Sequence, residues 1–262
     1  MKLEVITQQP KERKHAAPLL FIHGAWHGAW CWENFLPYFV EHGYEVYALS
    51  LRGHGNSEGR ESIRWYSGAR DYVADLAQVV DGLGKKPVLI GHSMGGYVIQ
   101  KYLEKSDAPA GVLIASIPVS GIFGMNVRFM KRHPWTMTKI LFLMNSWYMM
   151  NSPELLKENC FSDNFPEAEI ARIFPNVQPE SFRVSLETTL WNLPRPKKVK
   201  TSLLVLGAEN DRLFSVSEQK ATAKAYDTEA VFFSNMAHDM MLEKDWQLVA
   251  NKIMEWLETR GL

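Results

Sequence analysis

The hydrophobic positions of this chain fall into two alternating patterns. Short, nearly continuous apolar runs occur at 18–22 (Pro-Leu-Leu-Phe-Ile), 44–49, 88–90, 111–115, 203–206 and 230–233. Such runs predict strands buried on both faces of a sheet. Between them, apolar residues recur at three- and four-residue spacing, which predicts helices over 30–41, 68–81, 216–226 and 245–259. In 68–81 the stripe is Tyr72, Val73, Leu76, Val79 and Val80, and Gly82 and Gly84 follow it. A further alternating stretch at 3–7 predicts a short strand. Strands separated by single helices imply right-handed parallel crossovers, so the predicted class is α/β with a mostly parallel sheet flanked by helices.

The alternation stops between 119 and 196. No comparable strand occurs there, and the segment carries six of the twelve methionines together with Trp135, Trp147 and Trp191. Met137, Ile140, Leu141, Met144 and Tyr148 recur at helical spacing. This predicts a helical cap over 119–196, inserted after the sixth strand, with residues 1–118 and 197–262 as the core domain. Leu193-Pro-Arg-Pro196, stiffened by two prolines, is the expected return linker.

Composition narrows the partners. The 29 basic and 29 acidic residues balance, which argues against nucleic acid. Cys31 and Cys160 are too few for a disulfide scaffold or a metal cluster, and no metal site is expected. The opening residues 1–10 lack the apolar core and cleavage site of a signal peptide, so the expected location is cytoplasmic. The most apolar window, 135–150, is shorter than the roughly 20 residues of a spanning helix, so stable membrane insertion is not expected.

Candidate chemistry centres on 88–96, Val-Leu-Ile-Gly-His-Ser-Met-Gly-Gly. A strand, a G-x-S-x-G turn and a helix in that order form the context of a nucleophile elbow, with Ser93 at its tip. A serine hydroxyl needs a base to take its proton, and the base needs a third group to orient it. Both follow in the order such sites use. Gly207-Ala-Glu-Asn-Asp211 comes after one late strand and Ser234-Asn-Met-Ala-His238 after the next. Asp211 is the candidate acid, with Glu209 as the alternative, and His238 is the candidate base. The oxyanion donors are expected to be the backbone amides of Met94 and Ala25, the latter in the loop His23-Gly24-Ala25. Loop position makes Trp26 and Met240 candidate substrate-binding residues. His23 and His92 are expected to support their loops, and His27 and His54 either line the pocket or serve as loop histidines.

His23-Gly24, Arg52-Gly-His-Gly-Asn-Ser57, Gly91-His-Ser-Met-Gly-Gly96, Gly207 to Asp211 and His238 together resemble the α/β-hydrolase superfamily over essentially the whole chain. His23-Gly-Ala-Trp-His-Gly-Ala-Trp30 is similar to the opening of plant methylesterases and their hydroxynitrile-lyase relatives, and the Arg52 loop to bacterial esterases and lysophospholipase-like hydrolases. Gly24 and Asp239 stand where the lyases usually carry threonine and lysine, which favours an esterase. The resemblance implies a cofactor-independent serine carboxylester hydrolase acting on a small to medium hydrophobic ester, with lysophospholipid or monoacylglycerol as one direction. Thioester or carbon-carbon bond hydrolysis, lyase chemistry, perhydrolysis and a non-enzymatic ligand receptor are the alternatives. An exposed cap is also a candidate homodimer contact.

Overall fold

The computed structural model describes the backbone of residues 1–262 and the side chains of all but Ser62, Arg64 and Tyr66. A seven-stranded sheet runs in the order β1-β3-β2-β4-β5-β6-β7. The strands are β1 (Glu4–Gln8), β2 (Leu19–Ile22), β3 (Val46–Ser50), β4 (Val88–His92), β5 (Gly111–Ile114), β6 (Leu203–Ala208) and β7 (Ala230–Phe233). Only β1 is antiparallel, pairing at the edge with β3. Every other pairing is parallel. All four residues of β2 are fully buried, as the unbroken apolar run requires of a central strand covered on both faces.

The helices are α1 (Phe35–Glu41), α2 (Ile63–Tyr66), α3 (Ala69–Gly82), α4 (Met94–Leu103), α5 (Phe123–Arg132), α6 (Pro134–Leu143), α7 (Pro153–Cys160), α8 (Glu167–Ile173), α9 (Phe182–Leu190), α10 (Val216–Ala225) and α11 (Trp246–Glu258). The single helix predicted over 30–41 is instead a 3-10 turn at Ala29–Trp32 followed by α1. Pro37 explains the break. Its missing N–H is tolerated only in a first turn, and α1 begins two residues before it.

Helices α5 to α9 leave the sheet after β5 and return at β6. The expected insertion after the sixth strand is corrected to the fifth, because a single antiparallel strand precedes the parallel set. The predicted stripe in this segment divides: Met137 and Ile140 are buried, whereas Leu141 and Met144 are exposed. No helix among the described residues is long and apolar enough to cross a membrane.

Parallel pairing has one functional consequence. The carboxyl ends of β2, β4, β6 and β7 lie along the same edge of the sheet, and the loops there carry Ala25, Ser93, Asp211 and His238. Open α/β sheets place ligands at this edge.

Candidate active site

Ser93 links β4 to α4 with φ 50° and ψ −113°, a strained conformation for a residue with a side chain. Three backbone hydrogen bonds hold it. Its N–H donates to Ile114 O, and its carbonyl accepts from Tyr97 N and Ile117 N. The glycines around it permit the turn by their lack of bulk. A Cβ on Gly91 would lie 2.6 Å from the Gly95 carbonyl carbon, and one on Gly95 would lie 2.2 Å from Ile22 O, so α4 can cross β2 and β4 this closely only at glycine. Gly24 has the same role in the facing loop, where an added Cβ would meet His92 Nδ1 at 2.6 Å and Ser93 Cβ at 3.0 Å.

His238 is buried and lies against His92, with ring centroids 4.7 Å apart, and against Phe214 at 5.4 Å. Its Nδ1 donates to Asp211 Oδ2 at 2.9 Å. The other oxygen, Asp211 Oδ1, accepts from the backbone N–H groups of Leu213 and Phe214 at 2.8 and 3.0 Å. The carboxylate is therefore fixed from both sides. Glu209, two residues earlier, is exposed, and it is Asp211 that bonds the His238 ring. Burial alone would lower the His238 pKa, but the Asp211 carboxylate outweighs it and the net shift is upward.

No protein acceptor engages the backbone N–H of Met94 or Ala25 among the described residues. Met94 N–H opens α4, where unsatisfied amides and the helix dipole favour negative charge. Ser93, Met94, Ala25 and Trp26 line one cavity. Its walls are mostly apolar and come largely from the 119–196 segment: Ile122, Met125, Ile140, Met149, Phe182 and Val184, with Leu213 and Phe214 beside the Asp211 loop. Trp26 thus stands where the sequence places it. Met240 does not. It is fully buried in the core cluster, because the turn after His238 folds back under the sheet edge: Met240 N bonds His238 O, and Leu242 N bonds Asp239 O.

The histidines around this centre share a network that local sequence does not reveal. His23 accepts from Leu51 N through Nε2, so its Nδ1 carries the proton and donates to Gly24 O. Burial and the neighbouring His54 keep His23 neutral. His92 Nε2 donates to His238 O at 3.0 Å, and burial together with His238 lowers its pKa to about 3. His27 faces two acceptors, Ala25 O at 2.7 Å from Nδ1 and Asp239 Oδ2 at 2.9 Å from Nε2. Burial opposes its charge, yet the Asp239 carboxylate raises its pKa, while His27 in turn lowers that of Asp239 against the opposing effect of burial. The result is a buried His27–Asp239 pair in which each partner favours the charged form of the other. It ties the loop carrying Ala25 to the residue after His238, across 212 positions of sequence. His92, His238 and Asp239 offer ligand atoms within 4.8 Å of one another; protein partners engage His238 Nδ1, His92 Nε2 and Asp239 Oδ2, while His92 Nδ1 and Asp239 Oδ1 are buried without a hydrogen-bond partner among the described residues.

Helix α9 and the loop before it close the site from the other side. Gln178 N donates to Trp26 O and Gln178 Nε2 to His27 O, holding Trp26 at φ 64°. Glu180 accepts from the Tyr72 hydroxyl, and Glu187 from Ala69 N.

A parallel sheet with a strained serine elbow, an acid and a histidine on successive carboxyl-end loops defines the α/β-hydrolase class. The sequence profile of the alpha/beta hydrolase family matches residues 19–252, and the chain belongs to that family. Among curated proteins it is similar to Methylesterase 2 of Arabidopsis thaliana, 36% identical over 96 residues, 36% of each chain. It is also similar to a non-heme chloroperoxidase of Burkholderia pyrrocinia, 34% identical over 114 residues, 42% of this chain and 38% of that one. These alignments span about two fifths or less of the relatives' length. Solved structures extend the likeness of fold to the whole chain. An esterase from Thermogutta terrifontis superposes with TM-score 0.72 at 20% identity, covering 99% of this chain and 95% of its own. A monoacylglycerol lipase from Paleococcus ferrophilus gives 0.73 at 18%, covering 99% and 100%.

Proposed function

We propose that this protein is a cofactor-independent serine carboxylester hydrolase acting on a small to medium hydrophobic ester. The observation that carries this reading is the strained Ser93 elbow at the same sheet edge as a His238 whose Nδ1 is bonded to the buried, doubly anchored carboxylate of Asp211. In this mechanism Ser93 Oγ attacks the ester carbonyl carbon while His238 Nε2 takes its proton. Asp211 stabilises the resulting imidazolium, and the Met94 and Ala25 amides bond the tetrahedral oxyanion. His238 gives the proton to the departing alkoxide, leaving an acyl group on Ser93. Water, deprotonated by the same histidine, then releases the acid and restores the serine. Residues 119–196 act as the cap domain over a core formed by 1–118 and 197–262.

The cavity wall supports an acyl chain or aromatic group, because methionine and phenylalanine side chains adapt to apolar ligands. Lysophospholipid and monoacylglycerol substrates fit that wall. Perhydrolysis on the same site is a second reading, favoured by the chloroperoxidase relative. The test is hydrolysis of p-nitrophenyl esters from acetate to palmitate by wild type and Ser93→Ala, both confirmed folded. Turnover that vanishes in the variant supports the reading. A folded wild type inert on every ester defeats it.

A further inference from the structure

Helix α6 presents large apolar groups to both sides. Its inner face buries Met137 and Ile140, and Ile140 forms part of the cavity wall. Its outer face carries Trp135 and Phe142, 85% and 84% exposed, two helical turns apart on one line with Lys139 between them. Side chains this apolar, left this open and this close together, mark a contact surface.

The charge around them identifies the partner. No Asp or Glu occurs between Asp107 and Glu154, whereas Arg128, Lys131, Arg132 and Lys139 all lie in that span. Arg128 pairs with Glu218 and Arg132 with Glu158, both carboxylates from elsewhere in the chain. Lys131 and Lys139 are exposed, the latter 4.1 Å from the centre of the Tyr148 ring. A second copy docked symmetrically on this face would bring two sets of cations together with no carboxylate from either segment to meet them. Tryptophan, phenylalanine and lysine on one helix face match the composition of helices that lie in a membrane interface, aromatic rings at the headgroup boundary and ammonium groups on phosphates.

We propose that the outer face of α6 docks on an anionic lipid surface. Trp135 and Phe142 enter the headgroup boundary, and Lys131 and Lys139 engage the lipid phosphates. The wall of the catalytic cavity then stands one helix thickness, roughly 10 Å, from the lipid. No described helix is fit to span a bilayer, so the contact lies in the plane of the interface.

Flotation with vesicles of phosphatidylcholine, alone or mixed with phosphatidylglycerol, tests this. The wild type is expected to float with the mixed vesicles and to bind the neutral ones far more weakly. Trp135→Ser/Phe142→Ser is expected to lower binding by about tenfold or more, since each ring loses its apolar burial. Lys131→Gln/Lys139→Gln is expected to lower it by about fivefold per lysine, and only on the anionic vesicles. None of the four residues lines the cavity, so both variants should keep the wild-type melting temperature and turnover of a short, water-soluble ester. The proposal is overturned if the wild type stays with neither vesicle or if Trp135→Ser/Phe142→Ser binds as well as wild type. It is equally overturned if sedimentation shows a wild-type dimer that the same variant dissociates, which would make a second copy the occupant. Vesicle binding is read without catalysis, so a protein inert on esters would still answer the question.

Discussion

At the scale of single residues, the chemistry depends on which atoms hold protons. In the proposed mechanism His238 Nε2 must be unprotonated to accept the Ser93 proton, so activity should rise with pH through its pKa. Because the Asp211 carboxylate raises that pKa, kcat/KM should reach half its plateau above pH 6.5, the ordinary histidine value. Asp211→Asn should move this acid limb downward and cut kcat by roughly 1,000- to 10,000-fold, because the histidine loses both its partner and its preferred tautomer. A pH-rate profile of the two proteins decides both points. His27 is a second case. With a carbonyl on one ring nitrogen and a carboxylate on the other, it ties the Ala25 loop to Asp239. His27→Phe should reduce kcat with little change in KM, by less than the ~100- to 1,000-fold that follows loss of an oxyanion donor itself. A fall in kcat/KM carried by KM alone, with kcat unchanged, would show that this tie serves substrate binding instead.

At the scale of elements, the elbow and the helices inserted between β5 and β6 make opposite demands. The crossing of α4 over β2 is closed to any side chain at Gly95, where a Cβ would lie 2.2 Å from a backbone oxygen. Gly95→Ala should therefore destabilise the fold by about 3 kcal/mol or more, measured by urea unfolding. The cavity wall should tolerate change, because its residues face open space. Val184→Trp, on α9, should spare acetate ester turnover and depress that of long acyl esters, shifting the chain-length profile downward. Element boundaries show what sequence patterns carry. The central strands are legible because they are buried on both faces, and α3 and α11 because each has a single apolar stripe. Which face of helix α6 turns outward is not, since the helix is apolar on an exposed face as well as a buried one and periodicity cannot tell the two apart.

At the scale of the whole molecule, buried neutral histidines connect stability to pH. In the folded chain His92 has a pKa of about 3, and that of His23 is also well below normal, whereas both take a proton near pH 6.5 once unfolded. Their contribution to stability is full above pH 6.5 and is lost progressively as pH falls towards 3. Unfolding midpoints measured across that window should decline, with a shallower slope in His92→Gln. The network also explains how distant segments form one site. Gln178 and Glu180, from the segment between β5 and β6, bond respectively to His27 of the loop that carries Ala25 and to Tyr72 of α3, so three segments far apart in sequence are held together around the cavity.

The amino-acid sequence by itself determined the order of strands and helices, the insertion between them, and the candidates Ser93, Asp211, His238, Ala25 and Met94. Those features are local: periodicity, glycines beside a serine, and polar loops directly after apolar runs. Only the tertiary structure decided that Asp211 rather than Glu209 reaches His238, that Met240 is core rather than cavity wall, and that His27 and Asp239 pair. It alone also set Trp135 and Phe142 outward while Ile140 faces the cavity. The physical reason is common to all four. Each depends on which atoms meet across segments far apart in the chain, and burial and pairing are properties of that meeting rather than of any stretch of sequence.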